Sequence, residues 1–291
     1  MIKNSLAAVG HAARELFRRR GALLVLGALY FAALYCAYLF VSTGVANTWQ
    51  LLVSAATALA APLLLLVFLS GVSHFAVGAA TAGEVVKRGV RDFWKVLLVA
   101  LPLVALGLGL CYLLNRLHAY LPAPEVALPP PSGVRAPRPS SVGWQDWTVS
   151  TLGLLALGAA LPLLAAHLWT GVAGRGLKAT IKNVHRVAGR AFAPRSALVY
   201  AVGALFFGVL PYFVVFSLPP VLDGWLELTV FGLRLALVFA LTLCGWVVTT
   251  TALAALSPGA GAASETPPEP ATEPRPEPPA ALDEAHAPSA R

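Results

Sequence analysis

Four side chains of this sequence could take part in acid–base or metal-assisted chemistry at a membrane surface: His74, Glu84, Asp92 and His167. An enzyme that acts on membrane lipids needs acid, base or metal-binding groups at one depth. These residues lie near the same predicted side of the membrane. They are the candidate set for a membrane lipid enzyme, and no recognisable catalytic motif accompanies them.

The same two histidines could in principle hold a haem between neighbouring helices. His74 and His167 are not equivalent in the repeat described below, so we interpret them instead as partly hydrated residues near the membrane surface. The cysteines show no CxxC spacing and fall inside apolar stretches, which favours packing over metal binding. We therefore predict no catalytic residue, no metal site and no cofactor. The cysteines are Cys36, Cys111 and Cys244.

The elements that would position these groups are membrane-spanning helices. Hydrophobic residues make up 58% of the chain, charged residues 12%, and the mean hydropathy is +0.74. These values are typical of integral membrane proteins, and continuous apolar runs favour helices over a barrel. We predict an all-α fold with six transmembrane helices of about 20 residues each. The predicted spans are 22–41, 50–70, 96–114, 149–169, 197–218 and 229–253.

The positive charges are concentrated before the first span and in alternate connecting segments. By the positive-inside rule, this distribution places both termini in the cytoplasm. The net charge of +8 therefore reflects membrane sidedness, and we predict no nucleic-acid partner. The predicted location is the inner membrane of a bacterium.

Three basic amphipathic segments, which we call elbows 1, 2 and 3, each precede a span and occupy residues 4–20, 82–95 and 176–193. In elbow 3, basic residues recur at four-residue steps opposite apolar residues, which predicts one helix lying along the membrane surface. Anionic phospholipids are the predicted partners. The residues predicted to contact them are Lys178, Lys182, Arg186, Arg190, Lys87, Arg88, Arg91, Arg14 and Arg18.

A small residue followed by glycine recurs in spans two, four and six, at Gly71, Gly171 and Gly245. Together with the elbows, this recurrence predicts three elbow–helix–helix pseudo-repeats, the second lengthened by a Pro-rich insertion at 122–143. The alternative is a plain six-span protein with basic cytoplasmic loops and scattered glycines. We predict that the three glycines permit close packing between helices.

The transmembrane domain ends near residue 256, where the composition changes. Residues 257–291 are rich in proline and acidic residues, so we predict a disordered cytoplasmic tail after the 1–256 domain. Within the last span, Arg234 is the main charged candidate for an ion pathway. We interpret it as a side chain that extends to water or pairs with Asp223 or Glu227.

The elbows carry a resemblance to a known family. Arg14-Glu15-Leu16-Phe17 and Arg91-Asp92-Phe93-Trp94 share a basic, acidic, apolar, aromatic order. Over residues 1 to 256, the pattern resembles the six-span membrane domain of bacterial glycerophosphodiester phosphodiesterases and related membrane proteins. In that family the hydrolytic site lies in a separate soluble domain. The resemblance therefore implies anchoring or organising and supplies no catalytic residue.

Three functions are compatible with these features. The leading one is a non-enzymatic membrane scaffold, anchor or accessory subunit, for which other membrane proteins are candidate partners. The alternative is a transporter for a small or lipid-like solute, which a polar cavity reaching the middle of the membrane would favour. The third is a membrane lipid enzyme built on the four residues named at the outset.

Overall fold

The computed structural model describes residues 2–44, 46–79, 81–120, 144–216 and 224–256, and all regular structure in these residues is helical. Two π-helical segments interrupt the longer helices. In chain order the elements are α1 (Ile2–Arg18), α2 (Arg20–Ser42), α3 (Thr48–Ala76), α4 (Ala82–Tyr120), α5 (Trp144–Gly153), a first π segment (Leu154–Ala160), α6 (Leu161–Arg175), α7 (Leu177–Lys182), α8 (Val184–Ala191), α9 (Pro194–Ala204), a second π segment (Leu205–Val209), α10 (Leu210–Phe216) and α11 (Gly224–Ala255).

Six helical stretches are long and apolar enough to cross a membrane, which confirms the predicted all-helical, six-span class. The stretches are α2, α3, α4, α5 to α6, α9 to α10, and α11. Many of their large apolar side chains are exposed, among them Leu24, Leu108 and Leu233. Apolar side chains on the outside of a helix bundle are favourable in a bilayer, because they contact hydrocarbon there instead of water. The chain is therefore an integral membrane protein.

The elbow-bearing ends of these stretches meet at one end of the bundle, which we call the basic end. Arg19 Nη1, at the start of α2, donates to the Ala79 carbonyl oxygen just beyond α3. His74 contacts Asp92 of α4 across the same end. Ala12 of α1 packs in one buried cluster with residues from α8 and from the C-terminal part of α11. The interior beneath these contacts consists mainly of Leu, Val, Ala and Phe.

The two elbow segments that follow spans differ in form from the expected separate surface helices. Elbow 2 and the third span form one continuous helix, α4, of 39 residues. Elbow 3 forms two short helices, α7 and α8, so the single helix predicted across 176–193 is wrong. The backbone leaves helical geometry at Asn183 (φ −111°, ψ 24°), and its side-chain amide donates to the Ala179 carbonyl oxygen at 2.9 Å. Such side-chain bonds compete with the regular helical pattern.

The first π segment precedes Pro162, which has no N–H to donate to the Gly158 carbonyl oxygen four residues earlier. The Tyr200 hydroxyl of α9 donates to that oxygen at 2.7 Å. A neighbouring span thereby satisfies a backbone group that lipid could not.

Several predictions concern segments outside the described residues. These are the Pro-rich insertion at 122–143, the last two residues of the predicted span 197–218, and the tail at 257–291.

Candidate functional site

The basic end presents the predicted lipid-contacting residues on its surface. Of the nine, eight are exposed, and Arg190 is half-buried. Apolar side chains lie exposed among them in every elbow: Phe17 is 60% exposed, Val90 51% and Ile181 58%. In water such exposure would be unfavourable, but at a bilayer surface the apolar groups meet acyl chains while the basic groups meet headgroups. The basic end thus combines exposed basic and exposed apolar side chains, as a surface at a membrane interface does.

In elbow 1, one carboxylate joins α1 to the start of α2. Glu15 forms ion pairs with Arg18 at 2.8 Å and with Arg19. Arg19 also lies over the Phe75 ring, with 5.7 Å between its guanidinium carbon and the ring centroid. Partial burial disfavours the charged carboxylate, but the hydrogen bonds and charges of the two arginines outweigh it and hold the pKa of Glu15 below its ordinary value. The ionised carboxylate therefore positions Arg19 on the end of α3.

In elbow 2, one carboxylate is buried between two helices. Asp92 Oδ2 lies 3.1 Å from His74 Nε2 on α3, and Asp92 Oδ1 accepts a hydrogen bond from Lys95 Nζ at 2.7 Å. Arg91 approaches Oδ2 at 3.3 Å from the exposed side. Both Glu15 and Asp92 thus pair with a basic residue three positions later. A buried carboxylate needs such partners because desolvation without them is costly.

In elbow 3, the chain reverses direction after α6. Gly176 has a φ of +83°, a conformation that favours glycine, and it allows α7 to fold back on the end of α6. Thr180 of α7 is fully buried against Gly171, where a Cβ atom would lie 3.2 Å from the Thr180 methyl carbon. Val187 and Ala191 of α8 are also buried. Elbow 3 is therefore attached to the bundle along one side, and its basic side chains occupy the other.

The four candidates for enzyme chemistry are only partly brought together. His74 and Asp92 are in contact, but His167 faces other groups: its Nδ1 lies 3.0 Å from the Leu163 carbonyl oxygen and its Nε2 lies 3.4 Å from the Ser196 hydroxyl. Both histidines are buried, so the expectation of partly hydrated histidines is wrong. Among the described residues, no group of three or more His, Cys, Asp or Glu side chains could hold a metal ion.

The predicted packing glycines all lie at close approaches. Gly71 of α3 lies against Gly89 of α4. A Cβ atom added to Gly89 would be 3.3 Å from the Gly71 Cα atom. Gly245 of α11 lies against the second π segment, where an added Cβ would be 3.0 Å from the Phe207 amide nitrogen. Gly89, which lies in elbow 2, was not predicted as the partner of Gly71, because no pattern in the sequence links the two residues. Only the folded helix pair reveals it.

Two further features lie within the spans. Arg234 is half-buried on α11, and Asp223, one of its two predicted partners, lies outside the described residues.

A cleft of about 230 Å³ lies between α3 and the second π segment, with α2 and α11 forming its remaining walls. Its lining residues are Tyr30, Leu65, Phe68, Leu69, Phe207, Thr242, Leu243 and Trp246. None of these side chains is charged.

Comparison of the chain with protein-family models, curated proteins and solved structures gives no match.

Proposed function

We propose that this chain is a non-enzymatic scaffold, anchor or accessory subunit of a bacterial inner membrane, held at the cytoplasmic surface by its three elbows. The observation that carries the proposal is the basic end itself. Exposed basic and exposed apolar side chains alternate there, at the end of a bundle whose outer faces are apolar. Anionic phospholipid headgroups supply the matching charge, and acyl chains supply the matching apolar surface.

The proposed orientation follows from the same charges. With the basic end in the cytoplasm, both termini lie inside and the 122–143 insertion lies outside. The position of α11 supports this arrangement, because its C-terminal part packs in one cluster with Ala12 of α1 and with Ala191 of α8.

The proposed pseudo-repeat is supported by an ion pair with the same spacing in elbows 1 and 2. Glu15 pairs with Arg18, and Asp92 pairs with Lys95, each at a spacing of three residues. Elbow 3 has Ala191 at the corresponding position and no acid to form such a pair. We infer that the first two units retain an ion-paired elbow and that the third is attached by apolar burial instead.

Transport of a small or lipid-like solute is the second candidate, and the cleft is the observation that favours it. The cleft has no charged lining residue, so it does not fit a polar solute. The scaffold is preferred because the bundle beneath the elbows is closed by buried Leu, Val and Phe side chains. Other membrane proteins are the partners that a scaffold or accessory subunit implies.

The test uses the full chain in nanodiscs of phosphatidylglycerol or of phosphatidylcholine with identical acyl chains. If anionic headgroups hold elbow 3, amide hydrogen exchange in α7 and α8 should be slower in phosphatidylglycerol, and salt should reduce the difference. Joint replacement of Lys178, Lys182, Arg186 and Arg190 by Gln should abolish it.

The matched control exchanges Lys for Arg and Arg for Lys at the same four positions, which preserves the charge. This variant should behave as the unmodified chain. Equal exchange of the unmodified chain in the two lipids would refute anchoring by elbow 3.

A further inference from the structure

The cleft between α3 and the second π segment lies deep within the spans. Tyr30 is ten residues from the start of α2, and Trp246 is nine residues from the end of α11, both measured from the basic end. At about 1.5 Å per helical residue, this places the cleft roughly 15 Å from that end. The hydrocarbon core of a bilayer is about 30 Å thick, so the cleft lies at the depth of acyl chains.

The walls of the cleft are apolar and fixed by ring contacts. Tyr30 stacks on Phe68 with 5.1 Å between ring centroids, and Phe207 meets Trp246 edge-on at 5.4 Å. Aromatic pairs in these arrangements hold one another in place. The cleft is therefore a preformed feature of the bundle, with its shape set by rigid side chains.

The hydroxyl groups at the cleft are already engaged. The Tyr30 hydroxyl donates to Thr242 Oγ1 at 3.4 Å, and Thr242 Oγ1 donates to the Val238 carbonyl oxygen at 2.8 Å. The Trp246 ring N–H has no partner among the described residues but is itself buried, so a polar ligand would have to break the hydroxyl bonds or bury its own polar groups without partners. An apolar ligand meets no such cost, so the cleft favours a hydrocarbon chain.

Leu65 lines the cleft and is 42% exposed, so the cleft is open at this residue to what surrounds the bundle, which at this depth is lipid. We propose that this cleft binds one acyl chain of a membrane phospholipid as a defined site. An empty cleft would leave its wall atoms without dispersion partners on one side, and a chain entering from the bilayer restores those contacts. The proposal goes beyond the headgroup contacts of the elbows and needs none of their basic residues.

The experiment compares two substitutions on α3. Leu65→Phe adds volume to the cleft, whereas Leu63→Phe adds the same volume at a similarly exposed position (46%) that does not line the cleft. The full chain is reconstituted in phosphatidylglycerol, transferred to lipid-free detergent and analysed by native mass spectrometry. The unmodified chain and Leu63→Phe should retain one lipid, and Leu65→Phe should reduce its retention about tenfold, since overfilling a packed site is unfavourable.

A second measurement leaves the cleft unchanged in the variant that reports on it, which retains Trp246, whereas the comparison variant, which retains Trp94, has Phe in place of Trp246. Two variants keep Trp246 or Trp94 as the sole tryptophan, the others being replaced by Phe, and are reconstituted with phosphatidylglycerol carrying brominated acyl chains. After transfer to detergent, bromine quenching should persist for Trp246, which lines the cleft, and disappear for Trp94, which is exposed at the basic end.

Three results would overturn the proposal. They are loss of quenching at Trp246 together with Trp94, equal lipid retention by Leu65→Phe and Leu63→Phe, or a lipid-free dimer whose formation Leu65→Phe prevents. The last result would assign the cleft to a second copy of the chain. Failure of the headgroup experiment on elbow 3 would leave this inference unaffected, because the two tests read different contacts.

Discussion

The carboxylate of Asp92 has three basic neighbours, of which His74 is buried, Lys95 is partly exposed and Arg91 is exposed. His74 approaches it from α3, Lys95 from the next turn of α4, and Arg91 from the surface. The side chains of His74 and Asp92 are each only 7% exposed. Removing the carboxylate leaves the buried His74 imidazole without this partner, whereas Lys95 and Arg91 can reach water.

Replacement of Asp92 by Ala should therefore lower the free energy of unfolding by roughly 1–3 kcal/mol. Titration with a denaturing detergent, followed by circular dichroism, measures this change. Arg88→Gln is the control, because the Arg88–Glu84 pair is largely exposed and such pairs contribute about 0 to 1 kcal/mol. Equal effects of the two substitutions would show that the buried contact with His74 adds nothing.

Replacement of Gly89 by Ala should destabilise the protein by roughly 1–3 kcal/mol, because its new Cβ would press on the backbone of Gly71. Gly109 lies on the same helix with open space around it, so Gly109→Ala should be neutral or mildly stabilising. Thermal unfolding in one detergent compares the two. If Gly89→Ala is as stable as Gly109→Ala, α3 and α4 do not approach as closely as described.

At the scale of elements, the junction of α1 and α2 depends on an ionised Glu15. Because its pKa is lowered in the folded protein, its contribution to stability is present above its ordinary pKa and is lost as pH falls through the folded value. The thermal unfolding midpoint of the unmodified chain should therefore fall more steeply below about pH 4.5 than that of Glu15→Gln.

The control for this pH dependence is Glu227→Gln, which changes an exposed carboxylate on α11. Its unfolding midpoint should follow that of the unmodified chain throughout. A Glu15→Gln profile parallel to the unmodified one would contradict the role given to the ion pairs with Arg18 and Arg19.

The helices could be predicted from the sequence to a greater extent than the contacts between them. Each apolar run marks its own span, because a bilayer imposes length and composition locally. The break at Asn183 depends instead on a local side-chain bond to Ala179, and the burial of His74 depends on α4 lying against α3. The cleft required the placement of four separate elements. The burial of His74 and the cleft arise from packing between distant segments, which periodicity does not encode.

At the scale of the whole molecule, the proposed orientation predicts the accessibility of introduced cysteines. In a background lacking Cys36, Cys111 and Cys244, Ser132→Cys should react with a membrane-impermeant reagent from the periplasmic side. Ser289→Cys should react only after permeabilisation, because both termini are assigned to the cytoplasm. Both positions lie outside the described residues. The reverse labelling pattern would invert the assignment of the basic end.

The length of α4 has a mechanical consequence. Its 39 residues extend about 58 Å at 1.5 Å per residue, whereas the hydrocarbon core spans about 30 Å. The part of α4 beyond the core is the basic elbow 2, and a bilayer thinner than the apolar part of the helix would make that part tilt or bend, for which Pro102 provides a bending point. Because elbow 2 is the first part of this rod, a thinner bilayer that tilts α4 also rotates Lys87 and Arg91 relative to the headgroups. If elbow 2 contacts headgroups as proposed, bilayer thickness would therefore change that contact, because elbow 2 and the third span are one continuous helix.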